Sequence, residues 1–275
     1  MNDSSSQKVD IPSLIAALEA VDDPRQARGI RHLLIDILVI SVLAVICGAN
    51  TFPLIHTFAK QRESWLRRYL QLPSGIPSQD TFERVFQVVK AESFQSAFFG
   101  WLLQLPRKPL SEGEREVFAI DGKTSRGTAS AAFSALHIVS VFSVQHQLVL
   151  EAISVPEKAN EITVLPQLIE SLAPVGGIVT IDAMGCQKNV AATIRKFKGT
   201  DYFLALKGNH KKLEEDVRWL FRDHDQHGWE KSDYDYAVTE ERAHGREEKR
   251  ECWLIRDLSF IEGRDKWMDL NALVR

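Results

Sequence analysis

The 275-residue sequence predicts an α/β protein in which a mixed sheet is flanked by helices and preceded by an all-helical N-terminal region. Three observations carry this. Over the first hundred residues, apolar side chains recur at helical spacing, and the breaks fall at proline and glycine. Between residues 106 and 116, two prolines, a glycine and a polar run interrupt that pattern. Beyond it, short β-branched runs alternate with amphipathic stretches and open with a hairpin, the order that yields a mixed sheet covered by helices.

The elements follow in order. Residues 11–20 are a short amphipathic helix with Leu14, Ile15 and Leu18 on one stripe, broken at Asp22-Asp23-Pro24. Residues 32–48 are apolar almost all round, which marks a helix inside a bundle; Gly48-Ala49-Asn50 stops it. The helical period resumes over 52–70 with Phe52, Ile55, Phe58, Trp65, Leu66 and Tyr69. A turn at Pro73-Ser74-Gly75-Ile76-Pro77 leads to Ser78, the cap of a helix over 79–89 with Asp80 in its first turn, where the helix dipole favours a negative charge. Residues 91–103 form an aromatic-rich helix.

The domains expected are therefore a helical one over 1–105, a linker over 106–116 and an α/β one over 117–275. In the last, strands are expected at 117–120, 136–144 and 148–155, the latter two joined at Gln145-His146-Gln147. A helix over 160–172 capped by Asn160, a strand at 177–181, a helix at 188–197, a strand at 201–206 and a helix at 210–221 continue the alternation. Three tail strands are expected at 234–238, 250–255 and 270–274.

Composition narrows the function classes. Apolar residues at 44% and charged residues at 26% are globular values, not those of a disordered chain. The net charge of -3 divides into +2 over residues 1–110 and -5 over the rest, which argues against a basic DNA-coating protein. An enzyme that holds divalent metal tolerates that balance. Three scattered cysteines do not make a disulfide scaffold and fit a reducing, cytoplasmic setting, and no CxxC suggests structural zinc. The polar N-terminus does not read as a signal peptide, and the longest apolar run, 37–48, falls short of the ~20 residues that span a bilayer, so no membrane partner is expected.

The candidate chemistry rests on two aspartates in like positions. Ala119-Ile120-Asp121-Gly122 and Thr180-Ile181-Asp182-Ala183 each place a carboxylate just past a short apolar strand. Ligands gather at the carboxyl ends of strands in open α/β sheets. Two carboxylates there suit Mg²⁺ or Mn²⁺, and such ions serve phosphoryl transfer. Aspartate also ends strands because it favours turns, so either residue alone says little. Other motifs fall away. Gly122-Lys123-Thr124 resembles the end of a phosphate loop, but Val117 stands where its first glycine belongs. No Gly-x-Ser-x-Gly elbow is present. His210 and His244 read as turn or surface histidines, Lys207-Gly208-Asn209 as a turn or a phosphate contact, and Arg62, Arg67 and Arg68 as a solvated helix face.

Longer motifs add a resemblance. Asp23-Pro24-Arg25-Gln26-Ala27-Arg28-Gly29 and Ile76-Pro77-Ser78-Gln79-Asp80-Thr81-Phe82 lie in the helical part. Ala119-Ile120-Asp121-Gly122-Lys123-Thr124, Lys158-Ala159-Asn160-Glu161-Ile162, Thr180-Ile181-Asp182-Ala183-Met184-Gly185, Leu206-Lys207-Gly208-Asn209 and His244-Gly245-Arg246-Glu247-Glu248 follow in the same order as in one family. The chain resembles the H repeat-associated (Rhs-element-linked) insertion-sequence transposases of the DDE superfamily over almost its whole length.

That resemblance implies an RNase H-like core behind a helical associated domain. It implies Mg²⁺- or Mn²⁺-dependent cleavage at transposon ends and strand transfer into target DNA, the chemistry of DNA transposition and recombination. Asp121 and Asp182 would be the first two catalytic acids and the metal ligands. Lys123, Arg126 and Lys207 would be phosphate contacts, with DNA as partner and a homo-oligomer possible. The family's third acid lies in a later Trp-x-Ile-Glu helix that has no counterpart here, so the sequence reads as a C-terminally truncated, inactive copy. The alternatives are a DNA-binding remnant without catalysis, or a metal-dependent nuclease with Glu248 as third acid; among alternating charges, Glu248 reads more simply as one half of a strand-face ion pair. Loss of a covering helix would leave an apolar sheet face bare beside Asp182, favouring self-association.

Overall fold

A computed structural model of the protein describes residues 10–26, 28–125, 136–155, 161–230, 232–243 and 246–275. The chain divides into two compact units between Arg107 and Lys108. Among the described residues, no helix is long and apolar enough to cross a membrane.

The first unit is all helical. Helix α1 (Ile11–Leu18) starts where the Asp10 carboxylate accepts the Ser13 N–H, and Leu14 and Leu18 point inward. Helix α2 (Leu34–Ile46) buries ten of its residues, as its continuous apolar sequence requires. Asp36 in its first turn is also buried, at 1% exposure, and its carboxylate accepts the Leu72 N–H at 2.9 Å. Burial holds this carboxyl above the usual range, against the backbone N–H groups of Leu72 and Gln71, which pull it down.

The single helix expected over 52–70 is instead two, α3 (Phe52–Gln61) and α4 (Glu63–Leu66). The backbone leaves helical geometry at Arg62, whose N–H is shared between the Phe58 and Ala59 carbonyls. A bifurcated bond of this kind is a common way for a last turn to tighten and end. An ion pair between Glu63 and Arg67 at 2.7 Å then closes α4. Ser78 caps α5 (Gln79–Val88) by accepting the Thr81 N–H, and α6 (Ala91–Gln104) carries the aromatic run.

The second unit is built on a five-stranded sheet in the order β3-β2-β1-β4-β5. Strands β1 (Val117–Ser125), β2 (Leu136–Ser143) and β3 (Leu148–Val155) are antiparallel, with the 2–3 hairpin where the sequence places it. Strands β4 (Ile178–Ile181) and β5 (Asp201–Leu204) add in parallel to β1. Parallel strands need crossovers, supplied by α7 (Glu161–Leu172) and α8 (Lys188–Ile194). The two helices pack against each other, hence on one face. That face holds the core: Phe118, Ile120, Val139, Val141, Val179 and Ile181 against Leu165, Leu168, Ile169, Val190 and Ile194.

Side chains alternate across a sheet, so the residues between these point to the opposite face. There Phe142, Val149 and Phe203 are 38%, 40% and 52% exposed. An apolar patch beside Asp182 was expected; of these three side chains only Phe203, on β5, stands on a strand next to β4, which Asp182 follows. Helix α9 (Lys211–His227) and a second sheet, β6 (Tyr234–Ala243), β7 (Arg246–Ile255) and β8 (Leu273–Val274), complete the unit. The first two tail strands are longer than expected and the last is two residues rather than five.

Candidate active site at the strand ends

The parallel pairing of β1 with β4 runs from Val117↔Ile178 to Ile120↔Ile181 and stops. Asp121 and Asp182 are each the next residue. Ile120 and Ile181 are buried on the helix face, so alternation sends both carboxylates to the opposite face, side by side. Neighbouring strands lie ~4.8 Å apart, within the span that one cation or a pair of cations can bridge.

The two positions are not equivalent, contrary to expectation. Asp121 does not end its strand: β1 continues to Ser125, because β2 pairs with it along the whole way, Asp121 facing Ser140. Asp182 does end its strand. Its side chain accepts the Met184 N–H at 3.0 Å and caps a 3-10 turn, Ala183–Gly185. Gly185 lets that turn fold back on the sheet, since a Cβ there would lie 2.2 Å from the Ile181 Cγ2. Both aspartates are exposed. Two hard carboxylates with oxygens left open to solvent fit Mg²⁺ or Mn²⁺ in ligand type.

The remaining candidates fall out differently. Lys123 Nζ is 3.7 Å from Asp121 and its side chain is 82% exposed, so the pair is loose. Arg126 lies outside the described residues, as do His244 and the cap candidate Asn160. Lys207 is exposed at the head of the turn that follows β5. That turn is locked to the one carrying Asp182: Asn209 Nδ2 donates to Ala183 O at 2.5 Å, and His210 Nε2 lies 2.6 Å from Cys186 O. His210 is thus a buttress rather than a free surface histidine. Glu248 sits in β7 of the second sheet, exposed, opposite Glu241 and bonded to Arg250 at 2.6 Å. This is the strand-face ion pair that its surroundings suggested. Among the described residues, no cluster of three or more His, Cys, Asp or Glu is disposed to hold a metal ion.

One feature of the site has no forerunner in the sequence reading. On the helix face of β1, the Glu161 carboxylate lies flat over Gly122, where a Cβ would be 2.4 Å from its Cδ. Glu161 Oε1 is 2.5 Å from His137 Nε2, and His137 Nδ1 is 2.8 Å from Thr124 Oγ1. The chain of contacts spans β1 and β2 where β4 has already left, and so braces the segment that carries Asp121. The sequence signals were Gly122 after Asp121 and Glu161 within the 158–162 motif, and neither names the other as its partner.

Comparison with known proteins supplies the family. Residues 112–259 match the model of the transposase DDE domain, and residues 15–102 match that of the DDE_Tnp_1-associated region. This chain belongs to the DDE transposases. Within them it groups with the H repeat-associated members: YhhI of Escherichia coli K12, an H repeat-associated putative transposase, is 36% identical over 269 residues, covering 96% of this chain and 69% of YhhI. YbfD of the same strain, described likewise, is 36% identical over 244 residues, 88% of this chain and 93% of YbfD. A protein from the dhlA 3' region of Xanthobacter autotrophicus is 36% identical over 267 residues, 96% of this chain and 88% of that one. Among solved structures, the piggyBac transposase synaptic complex with hairpin DNA overlaps with a TM-score of 0.41 at 8% identity, covering 89% of this transposase and 54% of piggyBac.

Proposed function

We propose that this transposase holds a divalent cation, Mg²⁺ or Mn²⁺, between Asp121 and Asp182, against a DNA phosphate, and that these 275 residues alone bind DNA without cutting it. The observation that supports the reading is the β1–β4 register, whose last pair, Ile120↔Ile181, immediately precedes the two aspartates. A cation bound there would polarise a phosphodiester and activate an attacking oxygen, the chemistry of DNA cleavage and strand transfer. The chain's own part is positional. Met184 N–H orients one Asp182 oxygen, Asn209 and His210 fix the turn behind it, and the Glu161–His137–Thr124 brace holds the Asp121 segment. Lys123 and Lys207 are exposed near the two acids and supply charge for phosphate; Arg126 is assigned the same role from the sequence. Catalytic metal sites depend on a full ligand set. The carboxylate offered by sequence as a third ligand, Glu248, is engaged with Arg250 in the other sheet, which speaks against a self-sufficient nuclease.

The test is Mn²⁺ binding followed by electron paramagnetic resonance, with plasmid and end-duplex cleavage measured in parallel. Asp121→Asn and Asp182→Asn should each abolish Mn²⁺ binding, and wild type should leave DNA intact. Binding that survives both substitutions refutes the site. Metal-dependent cleavage lost in Asp121→Asn refutes the non-cutting part.

A further inference from the structure

Six residues past Asp182, the chain enters a second feature. A cavity of about 540 Å³ lies between the start of α8, the 207–210 turn with the start of α9, and a 3-10 turn at Arg264–Lys266. Its lining includes Lys188, His210, Lys211, Lys212, Lys266 and the indole of Trp267, with Glu262 and Asp265 as the only acids. Lys212 is ion-paired with Glu262. Lys188, Lys211 and Lys266 are exposed, and their ammonium groups make no hydrogen bond or ion pair among the described residues; Glu262 feels Lys266 only as a more distant charge.

Three unpaired ammonium groups around one groove are unusual in a part of the chain whose formal charge from residue 111 onward is -5. In the lining, Lys188, Lys211, Lys212 and Lys266 outnumber Glu262 and Asp265 by two charges, so an entering anion is attracted. The groove is also tied to the candidate site. Its wall, His210, contacts the carbonyl of Cys186, and Asn209 contacts that of Ala183, next to Asp182. Trp267, 7% exposed and packed edge-on against His210 at 5.5 Å, keeps that wall rigid. Flexible lysine point charges suit a phosphate backbone, which offers anions at regular intervals and needs no single geometry.

We infer that this groove is a seat for DNA backbone phosphates, formed by Lys188, Lys211 and Lys266, which lays a duplex across the Asp182 end of the sheet. The inference rests on the DNA-handling function proposed above and names where that DNA is gripped.

The experiment is fluorescence anisotropy with the full chain and a labelled random-sequence duplex over a NaCl series. Each neutralised phosphate contributes roughly -0.9 to the slope of log K against log salt. The triple variant Lys188→Ala/Lys211→Ala/Lys266→Ala should therefore lose about 2 to 3 from the magnitude of that slope and bind at least tenfold more weakly. The triple Lys→Arg variant at the same positions should keep both. A control, Lys60→Ala/Lys90→Ala/Lys198→Ala, removes the same charge elsewhere and should leave the slope within one. Equal losses in groove and control variants, or an unchanged slope in the groove variant, overturn the proposal. Mn²⁺ binding on the same groove variant separates the two readings: Mn²⁺ bound with an unchanged DNA slope sinks the groove alone, whereas a wild-type chain that binds no duplex sinks both.

Discussion

Gly122→Ala is the sharpest probe of the brace behind Asp121. Gly122 has no need of glycine for its backbone angles; it is a glycine for space. A methyl there would lie 2.4 Å from Glu161 Cδ and Oε1, so the carboxylate must swing away and give up its 2.5 Å contact with His137. The two side chains are only 20% and 25% exposed, so solvent compensates little. Losing a hydrogen bond that involves a charged group costs about 1.5–3 kcal/mol. Alanine returns about 0.4–1 kcal/mol by restricting the unfolded chain. The net expectation is a loss of about 0.5–2.5 kcal/mol. In a Glu161→Ala background the obstruction is gone, and the same substitution should be neutral or mildly stabilising. The assay is equilibrium urea unfolding of the four members of this double-mutant cycle, with a coupling of about 1.5–3 kcal/mol expected. Equal costs of Gly122→Ala in both backgrounds would refute the argument that Glu161 sets the space at this position.

Further outcomes are expected at four places in the structure. Arg115 donates to the carbonyls of Gly176, Gly177 and Gly199 and pairs with Asp201, joining the starts of β4 and β5; Arg115→Ala should lower stability by about 1–3 kcal/mol after allowance for its 35% exposure, and Arg115→Lys should recover little, since one ammonium cannot serve that fork. Asp36→Ala leaves the buried Leu72 N–H without its acceptor and should cost about 1–3 kcal/mol in chemical denaturation. The Asp36 carboxyl is raised in the fold, so its proton is bound more tightly there than in the unfolded chain. Its stabilising contribution is full below the ordinary value of 3.8 and is lost as pH rises through the raised one, so wild type should gain on Asp36→Asn only towards acid pH. Asn209→Ala removes the tie from the 207–210 turn to Ala183 and should weaken Mn²⁺ binding several-fold while Asp182 remains intact; unchanged affinity would deny the turn its positioning role. Phe142→Ser/Phe203→Ser should reduce binding of a hydrophobic dye and self-association seen by ultracentrifugation, because these rings are partly exposed on the face opposite α7 and α8.

Much of the fold was open to sequence reasoning because it follows from local rules. The apolar length of α2, the Ser78 cap, the 2–3 hairpin and the β–α alternation are each written in residues close together in the chain, where period and capping chemistry act. Two misreadings arose, one local and one set by a partner distant in sequence. Helical spacing ran on through Arg62, but the backbone ended α3 there. The apolar run stopped at Ile120, yet β1 continued because β2 offered it a hydrogen-bonding partner as far as Ser125.

The site divides along the same line. The sequence alone determined that two aspartates follow like apolar runs and that the chain carries the motifs of DDE transposases in order. Tertiary structure alone decided that those aspartates each follow the last registered pair of β1 and β4, that Glu248 belongs to another sheet, and that Glu161 closes over Gly122. It also gathered Lys188, Lys211 and Lys266 around one groove. The reason is that side-chain identity and period are properties of a short segment, whereas strand order, register and close approach depend on which distant segments share a core.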